Sequence, residues 1–502
     1  MHHTPSNIKQ QHVQNDTRIE IISSIVLVGF ALAVFFHYIN GSYLGLTYPH
    51  DTFLFKPSDR FNDFFHMINI CKNLNPYFEP YLFQSNYFPF ANLIFYVFSL
   101  IEPVVSLRLY SSVFILFILS YLSVMLAEHQ ELRLKKTVVL WLILLIVLFF
   151  PDMNHSFRFF WMSVVLGVLI LYYRGRNIGE IALKHYKNIF ILGLLTYPIL
   201  FCLDRGNIEM FLLIFLGLFS YFYYRKQVLL GAFFLGLAIS LKLYPAVFVV
   251  LLISDKKYKA CIWSLCVAAG VTLLALLLFK GGFWANIIYI ISGFNTSLWS
   301  GFFELNGQFQ RGVSLYSLFK MILLLTISKT GLVQAASINM GLFLKVYTVI
   351  AFLIFIFISI YILLIETERW KKMSLLVFSM LLLPHFSADY RLIHLFIPIV
   401  YFINSRTESS RSIVYSLLFA LLLIPKNYYY FQGFYSDSGF SDIGKGMVLN
   451  ILGILLLMGL IMMEGLASVT WIDIKNRFRG YVASIPFYWT LKKHIRERQR
   501  VL

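Results

Sequence analysis

The chain has 502 residues, of which 59% are hydrophobic and only 13% are charged, whereas soluble domains carry about 25% charged residues. This composition excludes a water-soluble globular protein, because even large domains bury only about three quarters of the surface that they would expose unfolded. The formal net charge of +18 does not indicate a nucleic-acid partner. The basic residues lie in short loops between apolar segments, which is typical of cytoplasmic loops in membrane proteins.

The apolar segments predict an all-α fold, a polytopic transmembrane helical bundle with about 11–14 crossings. Four of them can cross a hydrocarbon layer of about 30 Å as helices, although the last is somewhat short: 21–40, 109–127, 258–279 and 447–463. The lipid bilayer is therefore an expected partner of this chain.

Polarity divides the chain into three regions. Residues 1–20 form a polar leader, residues 21–463 form the transmembrane domain, and residues 464–502 form a basic, amphipathic tail. The first apolar segment is long enough to span a membrane, so we expect a retained helix and not a cleavable signal peptide. The four cysteines are scattered, with no spacing typical of a metal site or a disulfide framework.

The distribution of Lys and Arg orients the bundle. These residues are concentrated in the leader, in the tail and in short loops, which predicts that both termini are cytoplasmic. The tail is expected to lie at an anionic leaflet. The non-cytoplasmic face then carries a long first loop with short helices and five further connections: 42–90, then 151–157, 204–207, 280–312, 384–391 and 425–446.

Residues 227–253 have basic loops at both ends, so this apolar run must cross the membrane twice or not at all. Pro245 disfavours helix at the residue before it and removes a backbone donor. We therefore expect a broken pair of short helices with Lys242 near the outer turn, where protein or a water-filled cavity covers the backbone. Residues 313–328 are expected to lie along the outer interface.

Two carboxylates of the first outer loop are candidates for a general base. Asp59 and Asp63 are four residues apart and would share one face of a helix. Either carboxylate could deprotonate an acceptor hydroxyl. The alternative is that both are ordinary solvated loop carboxylates, one of which caps a helix.

A second polar group, Asp204-Arg205-Gly206-Asn207, separates two apolar helices. Polar residues at membrane depth are costly and often functional. The alternative is that Asp204 and Arg205 neutralise each other in a tight turn. Lys242 has no acid nearby in the sequence, so we expect it to bind an anion such as a phosphate.

A third group lies late in the chain, in a short outer turn. It comprises His385, Asp389, Arg391 and His394. His385 could transfer a proton or hold a phosphate, although a single histidine in a turn is more often structural. Arg311 is a weaker cationic candidate in the preceding outer loop.

The three groups together contain the side chains that glycosyl transfer outside the cytoplasm requires. Cationic groups suit a phosphate or diphosphate leaving group, and carboxylates suit activation of a hydroxyl nucleophile. Because nucleotide sugars are absent outside the cytoplasm, such a transfer needs a sugar donor that is carried on a lipid.

The order of these motifs resembles the C-type superfamily of polytopic glycosyltransferases, and most closely glycosyltransferase family 87. Over roughly residues 40–400 the family's order is matched by four motifs: Asp63 followed by Pro76-Tyr77, Tyr87-Phe88-Pro89, Arg205-Gly206-Asn207, and a glycine-containing helix that runs from Gly231 into Lys242-Leu243-Tyr244-Pro245. The family's Arg-Gln-Gly-Gln form is missing, and its late Ser-Pro-x-x-Trp-x-His turn is matched only loosely.

The resemblance implies inverting transfer of a hexose or pentose from a polyprenyl-phosphate donor to a glycolipid or polysaccharide acceptor. It implies that Asp63 is the general base, with Asp59 in reserve, and it leaves both His385 and His394 as candidates. It also implies that Arg205, Lys242 and Arg391 bind the donor phosphate, and the charge pattern of the outer side adds Arg311. The expected substrate-binding residues are Asp204, Asn207, Tyr244, Asp389, His394 and Tyr87. No cofactor is implied, and the missing Asp-x-Asp pair predicts a metal-independent reaction.

Two other functions remain open. A polysaccharide polymerase or ligase shares the fold and the carrier lipid, but it usually relies on a large outer loop late in the chain. A transporter of lipid-linked sugars often has two related halves, and this sequence has no internal repeat. We expect a bacterial inner membrane, although a formal glycosylation site at Asn295-Thr296-Ser297 keeps the endoplasmic reticulum as an alternative.

Overall fold

The computed structural model describes eight stretches of the chain: 5–48, 50–78, 85–126, 180–293, 312–330, 340–405, 411–426 and 445–484. These stretches consist of helices and short connections, with one isolated bridge between Gly312 and Ala388. The predicted all-α fold is therefore confirmed. Several predicted features lie outside the described residues: the turn at 151–157, most of the connections 280–312 and 425–446, Arg311 and the Asn295-Thr296-Ser297 site.

The first helices are α1 Pro5–Tyr38, α2 Asn62–Cys71, α3 Pro89–Ser99, α4 Pro103–Leu126, α5 Glu180–Leu194 and α6 Tyr197–Arg205. The central helices are α7 Glu209–Tyr224, α8 Val228–Leu241, α9 Val249–Ser254, α10 Tyr258–Leu278 and α11 Phe283–Gly293. The last are α12 Leu315–Thr330, α13 Met340–Leu364, α14 Arg369–Leu382, α15 Phe396–Ile403, α16 Ser412–Leu423, α17 Lys445–Ser468 and α18 Trp471–Ser484. A π-helix, Ile39–Tyr43, follows α1, and 3-10 helices cover Pro57–Asp59, Tyr244–Phe248 and Asp389–Leu395.

Five of the described helices are long and apolar enough to cross a membrane: Thr17–Tyr43, Pro103–Leu126, Tyr258–Leu278, Gly341–Leu364 and Val448–Ser468. Helices α5 and α6 meet at 45° and form a sixth span if they are one broken crossing. Four of the five long helices overlap the four segments that we predicted, and the five indicate a multi-pass membrane protein. The total number of crossings stays a prediction, because the other apolar helices, such as α3, α7 and α8, are shorter.

The short helices that we predicted in the loop at 42–90 are confirmed. A 3-10 helix, Pro57–Asp59, precedes α2, and α2 buries Phe64, Met67 and Ile68. These apolar residues are spaced three and four apart, as expected for one buried helix face. The loop is therefore packed against the bundle through α2.

Small residues let the central helices pack closely. Helix α8 packs against both α7 and α10, and a Cβ atom added at Gly236 would lie 2.6 Å from the Ser264 carbonyl oxygen. Small residues at helix contacts allow backbones to approach in this way in membrane proteins. The glycines of α8 therefore fix its distance from its neighbours.

The run 227–253 is a broken pair of short helices, as predicted. Helix α8 ends at Leu241, Lys242 has an extended backbone, and Pro245 lies in the first turn of the 3-10 helix that leads into α9. The Tyr223 hydroxyl, at the end of α7, donates a hydrogen bond to Asp255 just after α9. Both ends of the broken pair therefore lie on the same side of the bundle, and Lys242 lies at the opposite end.

The loops that their positive charge assigns to the cytoplasm meet at one end of the bundle. Glu464 lies 3.2 Å from Lys371 Nζ and 3.8 Å from Arg411 Nη1. Asp255 lies 3.4 Å from Lys372 Nζ. Three basic loops and the start of the tail are thus joined by ion pairs, which agrees with their assignment to a common side.

Gly206 joins the loop at 42–90 to the bundle. It ends α6 in the left-handed conformation, with φ 67°, and its N–H donates to the carbonyl oxygens of Cys202 and Leu203. The Phe61 N–H donates to the Asp204 carbonyl oxygen at 2.6 Å. A Cβ atom added at Gly206 would lie 2.6 Å from Phe64 Cβ. Only glycine satisfies both the backbone conformation and the close approach.

We predict that Gly206→Ala lowers the free energy of unfolding by about 1–3 kcal/mol, because a side chain is strained in this conformation and would collide with Phe64. The measurement is the thermal unfolding of the full chain in detergent. Gly270→Ala in α10 is the matched control, because an added Cβ atom there meets no other atom within 4 Å. Equal stability of the two variants would contradict the role given to Gly206.

Candidate active site

Arg205 brings together the two candidate bases of the loop at 42–90. Its Nη1 donates to Asp59 Oδ2 at 2.9 Å, and its Nη2 donates to Asp63 Oδ1. The guanidinium also lies over the Phe55 ring, 4.3 Å from the centroid. Asp59 and Asp63 are therefore not merely solvated loop carboxylates; they share one cation that is separated from Asp63 by 142 residues of chain.

Asp204 and Arg205 do not neutralise each other, so the alternative of a self-compensating turn is wrong. Asp204 Oδ2 accepts a hydrogen bond from the Phe55 N–H at 3.2 Å, and its Oδ1 lies 3.6 Å from Arg60 Nε. Asp204 therefore holds the segment before α2, whereas Arg205 faces the carboxylates of Asp59 and Asp63.

Asn207 holds the second oxygen of Asp63. Its Nδ2 lies 2.7 Å from Asp63 Oδ2 and 3.1 Å from the Tyr87 hydroxyl. The Tyr110 hydroxyl donates to the Asn207 carbonyl oxygen at 2.6 Å, which fixes this turn. Burial is the main cause that raises the pKa of Tyr87 well above its usual range, and the charge of Asp63 raises it further, so the phenol stays neutral.

We call Arg205, Asp59, Asp63 and Asn207 the Arg205 cluster.

Four side chains converge on one buried carboxylate, that of Glu209. Lys242 Nζ lies 2.7 Å from Oε1, and Arg391 Nε lies 3.3 Å from the same oxygen. The Tyr244 hydroxyl donates to Oε2, and His394 Nε2 lies 2.8 Å from it. Lys242 is therefore not an unpaired ammonium, which corrects our expectation. We call these five residues the Glu209 cluster.

Sequence analysis did not assign a role to Glu209, although a signal was present. Glu209 is the only charged residue of α7, and Lys242 is the only charged residue between 227 and 254. Two apolar runs that follow each other thus carry one charge each, and the charges are opposite. A buried charge needs a partner of opposite sign, so this pattern could have predicted the ion pair.

The two clusters are parts of one site. Asn207, which binds Asp63, lies two residues before Glu209, and its Oδ1 accepts a hydrogen bond from the Glu209 N–H at 3.2 Å. Lys242 Nζ lies 5.1 Å from the centroid of the Tyr87 ring, whose hydroxyl contacts Asn207. The candidate base and the candidate phosphate-binding cations therefore lie in neighbouring positions.

Three buried atoms of the Glu209 cluster make no hydrogen bond among the described residues. They are Arg391 Nε, Arg391 Nη1 and His394 Nδ1. The Arg391 guanidinium lies over the Tyr244 ring, 4.5 Å from the centroid. Because buried polar atoms are almost always paired, these three atoms indicate where a ligand could bind.

Two predicted site residues lie in other surroundings. His385 packs against Tyr316 and Tyr347, and its Nε2 lies 2.9 Å from Thr348 Oγ1. Burial lowers the pKa of His385, which favours the neutral ring. Of the two candidate histidines, His394 is the one that contacts Glu209.

Asp389 is fully buried and accepts a hydrogen bond from the Tyr197 hydroxyl at 2.8 Å. Asn450 Nδ2 lies 3.5 Å from its other oxygen. These contacts tie the 3-10 helix Asp389–Leu395 to α6 and α17. Asp389 therefore anchors the first turn of the 3-10 helix that also carries Arg391 and His394.

Among the described residues, no three His, Cys, Asp or Glu side chains lie close enough together to hold a metal ion. The Asp59 and Asp63 carboxylates are bridged by the Arg205 guanidinium, which places a cation where a metal would otherwise be needed. A metal-independent reaction stays a prediction.

Comparison with known proteins gives one match. The family model described as Glycosyltransferase family 87 matches residues 159–384. This range contains Arg205, Asn207, Glu209 and Lys242, and it ends before Arg391 and His394. No curated protein and no solved structure matches the chain.

Proposed function

We propose, from the premise that the chain is a glycosyltransferase family 87 membrane protein, that it transfers a sugar from a polyprenyl-phosphate donor to an acceptor hydroxyl with inversion. The family indicates glycosyl transfer, and the donor is our proposal. The observation that supports it is the proximity of the Arg205 cluster, which carries a candidate base, to the cations of the Glu209 cluster. Cations stabilise a departing phosphate, and a carboxylate suits a hydroxyl nucleophile.

In the proposed reaction the acceptor hydroxyl gives its proton to Asp63 and its oxygen forms a bond to the anomeric carbon. The bond from that carbon to the donor phosphate breaks on the opposite face, and its electron pair stays on the phosphate oxygen. The products are an inverted glycoside and polyprenyl phosphate. Lys242 and Arg391 would stabilise the charge that develops on the phosphate.

Asp63 is better suited than Asp59 to act as the base. Both Asp63 oxygens are oriented by donors, Arg205 on one side and Asn207 on the other. The Asp59 side chain is 33% exposed, whereas that of Asp63 is 21% exposed. A preorganised carboxylate is more effective in proton transfer than a mobile one.

The lipid-linked donor, together with the charge distribution of the loops, supports a site on the non-cytoplasmic face of a bacterial inner membrane. The acceptor class that fits this location is a glycolipid or a polysaccharide. Arg205 would bind the donor phosphate together with Lys242 and Arg391, while Tyr87 and Tyr244 would line the sugar position.

We predict that Asp63→Asn lowers the transfer rate by about 10²–10⁴-fold, because the amide cannot accept the acceptor proton. The assay follows a radiolabelled sugar from polyprenyl phosphate to membrane acceptors. Asp59→Asn should retain more activity than Asp63→Asn. Glu102→Gln, which changes an exposed carboxylate at the start of α4, is the control and should leave the rate unchanged.

Full activity of a folded Asp63→Asn protein would exclude Asp63 as the base. A wild-type protein that moves the labelled lipid-linked sugar between the two leaflets, without transferring the sugar to an acceptor, would exclude the whole proposal in favour of a transporter. Thermal unfolding of each variant separates loss of chemistry from loss of fold.

We also predict that transfer continues at an unchanged rate, within about twofold, after exhaustive treatment with a divalent-metal chelator. The reason is that Arg205, Lys242 and Arg391 supply the positive charge that a metal ion provides in other sites. Added Mg²⁺ or Mn²⁺ should give no stimulation. A rate that falls with chelation and recovers with either ion would contradict this mechanism.

A further inference from the structure

We infer that Glu209 competes with the donor phosphate for Lys242 and Arg391, and so limits how tightly the site holds the lipid phosphate product. This inference rests on the proposed polyprenyl-phosphate donor. It gives Glu209 a role in product release, which neither the family match nor the motifs of the sequence assign to it.

The geometry gives both cations one shared anion. Lys242 Nζ and Arg391 Nε both face Glu209 Oε1, at 2.7 and 3.3 Å. Among the described residues, no other carboxylate lies within 4 Å of either cation. The two cations and one carboxylate therefore leave a net charge of about +1 at this position when His394 is neutral.

The Glu209 cluster contains buried polar atoms without hydrogen bonds, which a purely structural ion network would not leave. Arg391 Nε and Nη1 are buried donors and have no hydrogen-bond partner among the described residues. Buried ionic groups that serve stability alone use their full hydrogen-bonding capacity. The unused atoms indicate that a second anion binds beside Glu209.

The charge of the substrate and that of the product explain why a competing carboxylate is useful. The phosphate of a sugar-linked polyprenyl donor is a diester with one negative charge. The product is a monoester, whose charge at pH 7 is about −1.5 to −2. Two uncompensated cations would hold the product more tightly than the donor. Glu209 offsets one of them and brings the site closer to the charge of the donor.

The decisive experiment measures the binding of polyprenyl phosphate without sugar to the detergent-solubilised full chain. Glu209→Gln should bind this product about tenfold more tightly than wild type, because the competing charge is gone. The parent polyprenol, which lacks the phosphate, should bind both proteins equally. In steady-state assays both kcat and the donor KM should fall, because product release becomes slower.

A positioning role alone predicts the reverse: Glu209→Gln would leave Lys242 and Arg391 misplaced and would weaken product binding. Weaker or unchanged binding would therefore overturn the inference. If wild type itself does not bind polyprenyl phosphate, the proposed donor is wrong, which is a different outcome from failure of the role given to Glu209.

A second pair of variants covers the case in which Glu209→Gln does not fold. Lys242→Met leaves Arg391 paired with Glu209 and should bind polyprenyl phosphate at least about tenfold more weakly than wild type. The double variant Glu209→Gln/Lys242→Met restores the net charge of +1 and should regain most of that loss. A double variant that binds no better than Lys242→Met would also overturn the inference.

A different observation, at the other end of the bundle, carries a second proposal: we propose that α18 binds anionic phospholipid in the headgroup region of the cytoplasmic leaflet. Its polar face is attached to the protein. Arg477 Nη1 donates to the Ile365 carbonyl oxygen at 2.5 Å, and the Tyr481 hydroxyl donates to the Ser254 carbonyl oxygen at 2.5 Å. These contacts join α18 to the ends of α13 and α9.

The opposite face of α18 is apolar and basic. Trp471 is 77% exposed, Ile472 is 68% exposed and Phe478 is 56% exposed. Lys475 and Arg479, also exposed, lie on this face, because at about 100° per residue positions 471, 472, 475, 478 and 479 fall within about 120° of the helix circumference. An apolar face flanked by basic residues is typical of helices that lie in the interface of an anionic leaflet.

Hydrogen exchange of the full chain in nanodiscs tests this second proposal. The backbone of α18 should exchange at least about threefold more slowly in discs with phosphatidylglycerol than in discs of phosphatidylcholine alone. The double variant Lys475→Glu/Arg479→Glu should lose this difference. Lys226→Glu, an exposed change in the loop between α7 and α8, is the control and should keep it. Equal exchange of wild type in both lipids would overturn the proposal.

Discussion

The structure of the site depends on one constraint, which is that the carboxylate of Glu209 is buried and must be compensated. Removing an ionised group from water costs several kcal/mol unless it is paired and hydrogen-bonded. Its partners come from two places, the break after α8 and the 3-10 helix after α14. The start of α7, the end of α8 and the turn that carries Arg391 and His394 therefore have to meet, because any other arrangement leaves a buried charge unpaired.

The two clusters differ in their access to water, and this difference suits the two substrates of the proposed reaction. Glu209 and His394 are completely buried, whereas Asp59 and Asp63 remain partly exposed. A base that removes a proton from an acceptor has to be reached from the aqueous side. A phosphate carried on a lipid tail can be bound deeper, where charge interactions are stronger because the surroundings are less polar. Asn207 contacts Asp63 and precedes Glu209, so it couples the two.

Local features were predictable from the sequence, and pairings across the chain were less so. The break at Lys242 follows from Pro245, and the turn at Gly206 follows from its position after an apolar helix. The distribution of Lys and Arg placed Asp63 and Arg205 on the same side of the membrane. It could not predict their contact, because 142 residues of chain separate them. We predicted that Lys242 binds an anionic ligand because its immediate sequence contains no acidic residue. Its carboxylate partner, Glu209, lies 33 residues earlier in the chain. Only the hairpin of α7 and α8 brings the two together. The sequence could not show whether His385 or His394 reaches Glu209. The 3-10 helix Asp389–Leu395 directs the His394 ring toward that carboxylate.

The length of α8 sets how deep the Lys242 ammonium lies. A helix of 14 residues is about 21 Å long, whereas the hydrocarbon layer is about 30 Å thick. If the loop before Val228 lies at one membrane surface and α8 runs along the membrane normal, the turn after Leu241 lies about 9 Å below the opposite surface. A substrate with a hydrocarbon tail arrives at that depth by sideways diffusion within the leaflet. A water-soluble sugar nucleotide would first have to lose its hydration shell and enter the membrane from the aqueous phase.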